Sequence, residues 1–103
     1  MDWETRENER LVEAVLAIES PDEARRFLRD LMTEGEIEEF SKRLRAAEML
    51  TDKVPYTAIE RETGQSSTTV ARIAKWLNGD LGGYRLIINR MHHHGPHLSR
   101  KGS

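Results

Sequence analysis

Apolar residues along this chain recur at intervals of three and four and nowhere alternate, which predicts helices throughout and no strand. The pattern divides into about six segments. Over Thr5–Ile18, Leu11, Val12, Val15, Leu16 and Ile18 fall at helical spacing. Ser20-Pro21-Asp22-Glu23 then signals a new start. Ser20 is a capping residue, proline suits the first helical position, and Glu23 completes a capping box. Behind it Ala24, Phe27, Leu28 and Leu31 form a second stripe, with Arg25, Arg26 and Arg29 outside it. Thr33–Glu36 repeats the capping-box spacing, with Gly35 tolerated in the first turn. It predicts a third helix running to about Leu50, with Ile37, Phe40, Leu44, Ala47 and Leu50 inward and Lys42, Arg43 and Arg45 on another face. Thr51-Asp52-Lys53-Val54-Pro55 ends that helix, because the residue before a proline disfavours helical backbone, and Pro55 opens the next.

Residues 56–77 carry the most specific arrangement: a short helix, a turn at Gly64, and a second helix opening on Ser66, Ser67, Thr68 and Thr69. Tyr56, Ile59 and Thr63 share a face that seats the first helix on the second. Gly64 stands where the turn needs left-handed backbone, which glycine adopts without penalty. Ser66 is placed to cap the second helix. There Val70, Ile73, Ala74 and Leu77 form the packing stripe, at about 100° per residue Thr68, Arg72 and Lys75 lie nearly opposite, and Ser67 and Thr69 flank it. This is the layout of a helix-turn-helix, whose second helix enters the major groove of duplex DNA. Asn78-Gly79 ends it, Gly82-Gly83 marks a further turn, and Tyr84, Ile87, Ile88 and Met91 form a last stripe. From His92 the periodicity stops. The chain therefore reads as one domain over 1–91 and a tail over 92–103.

Composition sharpens this picture. At 103 residues a monomer buries a limited core, and the stripes on the first two helices exceed what one compact motif needs. Such helices usually pair with a second chain, so a homodimer is expected, folding back on their own domain being the alternative. With no cysteine, disulfides, thiolate metal sites and cysteine nucleophiles are excluded. No apolar run approaches the roughly 20 residues of a membrane span, and the acidic N-terminus is unlike a secretory signal, so a cytoplasmic location is expected. The net charge of −2 at first opposes DNA binding, but its distribution does not. Residues 1–40 carry a balance of −8, and residues 41–78 and 79–103 carry +3 each. A basic side with an acidic back suits a protein that meets phosphate on one face.

On this reading Ser67, Thr68, Thr69 and Arg72 are the candidate base contacts. Hydroxyls donate or accept at base edges, and threonine methyls meet thymine methyls. Arg43, Arg45, Lys53, Ser66 and Lys75 are the candidate phosphate contacts. The competing reading of Ser66–Thr69 is a capping cluster on an exposed helix. Glu60 and Glu62 put negative charge where a first motif helix nears the DNA backbone. The clustered His92, His93, His94 and His97 read as tail rather than as a metal site. Trp3 and Trp76 read as packing residues, and Glu34, Glu36, Glu38 and Glu39 as a solvated face. No nucleophile–base pair, paired acids or phosphate loop stands out, so no enzyme and no cofactor are expected.

From Leu11 to Met91 the chain resembles the tryptophan-repressor superfamily, in its YerC/YecD-type branch of small bacterial proteins. The most specific pieces are Ser41–Leu50 (SKRLRAAEML), the 56–73 motif, and the Gly83-Tyr84…Met91 ending. The resemblance implies an all-α, intertwined homodimer whose N-terminal helices build a shared core. It also implies a DNA-binding transcriptional regulator, expected to be a repressor. Two arginines of the tryptophan repressor sandwich the corepressor indole, and their positions match Lys42 and Arg72, the candidate effector pocket. The glycine that follows the second arginine and leaves room for the ligand is Ile73 here. A branched side chain and a lysine for a stacking guanidinium both argue against tryptophan as corepressor. The repressor's recognition-helix threonine matches Thr69, while basic residues of its preceding helix are replaced by Thr57 and Glu60. A helical protein-interaction module of the transcription machinery is the alternative from another class.

Overall fold

The computed structural model describes residues 1–93, in which six helices and no strand occur. They are α1 Arg6–Leu16, α2 Pro21–Leu31, α3 Glu34–Thr51, α4 Tyr56–Thr63, α5 Ser67–Leu77 and α6 Gly83–His93. The chain divides into two compact units, the first Met1–Glu34 and the second from Gly35 onward.

In the first unit the expected cap at Ser20 forms, and Thr5, expected within the first helix, caps it instead. Thr5 caps α1 by accepting from the Asn8 N–H (3.2 Å), and Ser20 caps α2 by accepting from the Glu23 N–H (3.1 Å). Glu23 reaches back to the Glu19 N–H (2.9 Å), one residue earlier than the box geometry places it. Neither helix buries a residue, and Leu11, Val12, Val15, Leu16, Leu28 and Leu31 all remain exposed.

The core of the second unit is built by α3, α4, α5 and α6. Ala46, Ala47, Met49, Ile59, Val70, Ile73 and Ile88 are buried together, with Leu44, Leu50, Val54 and Tyr84 packed around them. The inward face of α3 is therefore rotated from expectation. Ala46 and Met49 are buried, while Phe40 stays 44% exposed. The physical reason is size: two adjacent alanines let neighbouring helices approach α3 closely, and the core forms where they can. Tyr56 is likewise more exposed than its stripe suggests.

The break after α3 is a Schellman motif. The Val54 N–H donates to the Met49 carbonyl (3.0 Å) and the Lys53 N–H to the Leu50 carbonyl (3.0 Å). Lys53 takes the left-handed position at φ 63°, normally glycine's. At the other end, α6 runs through His93, two residues past the expected stop at Met91. The His92 imidazole lies 3.9 Å from the Glu48 carboxylate, so the last turn has a contact on α3. Of the expected tail over 92–103, residues 94–103, with His94 and His97, fall outside the described residues.

Candidate nucleic-acid interface

The turn between α4 and α5 is set by backbone need and short hydrogen bonds. Gly64 sits at φ 74°, and its N–H donates to the Glu60 carbonyl (2.8 Å). The Thr63 hydroxyl donates to the Ile59 carbonyl (2.7 Å) and accepts from the Gln65 N–H (3.3 Å). Ser66 then caps α5 by accepting from the Thr69 N–H (3.1 Å). These contacts fix where the free N–H groups at the start of α5 point, which is what an anion-binding helix end requires.

Along α5 the sides separate as its periodicity predicts. Val70 and Ile73 are fully buried and Leu77 nearly so, while Ser67, Thr68, Arg72 and Lys75 are exposed. Thr68, Arg72 and Lys75 line one shallow depression with Ala71 and Trp76. Among the described residues neither Arg72 nor Lys75 has an acidic partner. Thr69 is half-buried, and its hydroxyl is 3.0 Å from that of Ser66, so it is partly occupied by the cap.

The other expected site residues are distributed differently. Lys42 and Arg45 are exposed on α3. Lys53 lines a separate recess near the C-terminal end of α5, with Tyr56, Ala74, Leu77 and Asn78. Arg43, an expected phosphate contact, is half-buried. Its guanidinium is 3.4 Å from Glu39 and stands 5.3 Å and 5.9 Å from the ring centres of Phe40 and Trp76, within cation–π range. Trp76 is thus a partly exposed platform for Arg43, at 45% exposure, rather than a core packing residue. Trp3 is likewise exposed.

The candidate effector pair does not converge on either cleft beside α5. Arg72 lines the depression just described, and Lys42 does not. The larger hollow, about 680 Å³, is lined by Leu44, Lys75, Trp76, Leu81, Tyr84 and Ile87, and neither Lys42 nor Arg72 reaches it. Ile73 is completely buried within the helical core, while Arg72 is exposed. Burial pushes the Tyr84 phenol above its usual range, an effect that the positive charge of Arg43 opposes.

Sequence reasoning missed three residues. Gln65 is buried, and its Nε2 donates to Glu39 (3.2 Å). Arg85 donates through Nη1 to the carbonyls of Leu77 (2.5 Å) and Gly79 (2.9 Å), tying α6 to the end of α5. A long polar residue directly after the turn glycine was a signal for Gln65. Glu39 was hidden in a run of carboxylates, and nothing in the pattern singled out Arg85.

A helix, a glycine turn and a capped second helix, among described residues that hold six helices and no strand, match a known architecture over residues 6–92, where the family model described as Trp repressor protein fits. The chain belongs to the Trp repressor family. The uncharacterized protein YerC of Bacillus subtilis (strain 168) is 34% identical to this chain over 86 residues, spanning 84% of this chain and 83% of that protein. Among solved structures, a TrpR-like protein from Eubacterium eligens ATCC 27750 is similar at a TM-score of 0.81 and 34% identity, covering 88% of this chain and 94% of that one. A candidate Trp repressor from Staphylococcus aureus is similar at a TM-score of 0.81 and 33% identity, covering 89% and 95%. The Trp repressor fold thus extends over both helical units, well beyond the motif. No helix among the described residues is long and apolar enough to cross a membrane.

Proposed function

We propose that this protein is a sequence-specific, DNA-binding transcriptional regulator of the repressor type that acts as a homodimer. The observation that carries this reading is the exposed side of α5. Thr68, Arg72 and Lys75 share one depression and face solvent, while Val70, Ile73 and Leu77 hold the opposite side in the core. Ser67, Thr68 and Arg72 are assigned to base edges in the major groove, with Thr69 contributing its methyl group. Ser66, Lys75, Arg45 and Lys53 are assigned to phosphate. Arg43 is given an orienting role, since its guanidinium already has Glu39 and two rings. Two copies related by a two-fold axis would set their recognition helices about 34 Å apart, matching a near-palindromic site. Such a regulator would work in the cytoplasm.

The dimer reading is supported by apolar surface on both units. On the first unit the stripes of α1 and α2 are exposed, and on the second Trp76, Leu81 and Ile87 are. Tryptophan is not proposed as the effector, because a branched Ile73 stands where the repressor has a glycine, Lys42 replaces a guanidinium, and Lys42 and Arg72 line no common cleft.

Polarisation of a labelled random duplex at low salt tests the reading, followed by selection of bound sequences. Nonspecific affinity that falls steeply with salt is expected. In the same titration Lys75→Ala should weaken binding to all sequences and flatten the logarithmic salt slope by about 1 for each phosphate no longer neutralised. An unchanged slope removes Lys75 from the contacts. The second reading, a protein-interaction module, is favoured by Glu60 and Glu62 beside the turn and by the −8 balance of residues 1–40. Absence of any duplex affinity would decide for it.

A further inference from the structure

The apolar seam under α5 cannot by itself fix how that helix is rolled. Hydrophobic burial is non-directional, and Val70, Ile73 and Leu77 would remain covered over a range of rotations. A directional element is needed, and one carboxylate on α3 supplies it. Oε2 of Glu39 accepts from Gln65 Nε2 at 3.2 Å and lies 3.4 Å from Nε of Arg43. Gln65 stands immediately before the cap of α5, and Arg43 reaches the ring of Trp76 near the other end of the same helix. Glu39 therefore touches the recognition helix at both ends, through one intermediary each.

Gln65 makes this contact at a cost. It is 7% exposed, and among the described residues its Oε1 is buried without a partner and its side-chain amide bonds to Glu39 alone. An apolar side chain of similar length would fill the same space without that penalty. A polar group kept in such a place is best accounted for by direction rather than stability.

We propose that Glu39 and Gln65 are positioning residues for the recognition helix, setting its roll so that Thr68 and Arg72 face the groove. The inference rests on the DNA-binding reading above. Its own geometry is measurable without DNA.

The experiment uses the full chain carrying Trp3→Phe, which leaves Trp76 as the single tryptophan, with Gln65→Met, Glu39→Gln and Glu39→Ala introduced singly and Gln65→Met with Glu39→Ala combined. Gln65→Met keeps volume and removes the amide, so it should melt no lower than its parent. It should bind duplex about tenfold more weakly, the loss of one net hydrogen bond's worth of orientation. The double variant should bind no worse than Glu39→Ala alone, since removing Glu39 already breaks its link to Gln65. In the DNA-free protein, exchange of the Ser67–Val70 amides should quicken in Gln65→Met. Trp76 emission should move to longer wavelength in Glu39→Ala, with Glu39→Gln intermediate because it retains an acceptor. A merely structural role would lower the melting temperature and leave the affinity of the folded protein unchanged. Full affinity with unaltered exchange in Gln65→Met overturns the proposal. If the parent binds no duplex, the DNA reading fails, and the brace stands or falls on exchange and emission alone.

Discussion

At the scale of single residues, the motif is held by backbone conformations as much as by contacts. Gly64 at φ 74° has open space where a Cβ would be, so alanine there would meet no neighbour and would suffer only the intrinsic left-handed penalty. Lys53, at φ 63°, carries that penalty already. Lys53→Gly should therefore raise stability by about 0.5–1 kcal/mol, the strain relieved less the extra freedom of glycine in the unfolded chain. Lys53→Ala, which keeps the strain, should not. Denaturant midpoints of the two variants separate backbone relief from loss of the lysine charge, and equal midpoints would show the strain to be absent.

Tyr84 makes a second residue-scale prediction. Its folded-state pKa is raised, chiefly by burial and against the opposing charge of Arg43. A group raised in the folded state stabilises fully below its unfolded value near 10, and that contribution disappears as pH climbs through the folded value. Stability should therefore fall on the alkaline side, and Tyr84→Phe should remove that portion of the fall. Thermal melts between neutral pH and the alkaline limit would check it. A parallel decline in both proteins would assign the loss to other groups.

At the scale of elements, α5 is the helix whose ends matter most. Its start is defined by Ser66, whose oxygen takes the Thr69 N–H, and its finish by Arg85, whose guanidinium takes the Leu77 and Gly79 carbonyls. Ser66→Ala should cost about 1 kcal/mol by removing the cap. Ser66→Asp should keep the cap and favour the helix dipole, yet place a carboxylate where phosphate is proposed to sit. Stability retained by Ser66→Asp together with weakened duplex binding would separate the two roles of this residue. Binding equal to the parent would move phosphate away from this helix end.

At the scale of the whole molecule, many large apolar residues lie outside the core. Leu16 is 78% exposed and Leu81 92% exposed, and the stripes of α1 and α2 bury nothing. Leu16→Glu combined with Leu31→Glu should leave the Gly35-onward unit folded, since neither residue belongs to its core. Sedimentation velocity should then report a monomer where the parent sediments as a dimer, with duplex affinity reduced because two half-sites are no longer linked. An unchanged sedimentation coefficient would place the dimer contact elsewhere.

Helix number, the Ser20 and Ser66 caps, the glycine turn and the division of α5 into seam and solvent face were legible from the chain alone. Each depends on residues within about one or two helical turns of one another, where spacing and capping chemistry suffice. The roll of α3 was not legible, because the choice of Ala46 and Met49 over Phe40 depends on how closely other helices approach. The reassignment of Arg43 and Trp76, the burial of Gln65 and the reach of Arg85 were hidden for the same reason. They join positions between 6 and 33 residues apart, and pairing over such separations is decided by packing geometry that no local pattern encodes. Periodicity determined which side of the recognition helix faces outward; only the tertiary structure decided which carboxylate holds it there.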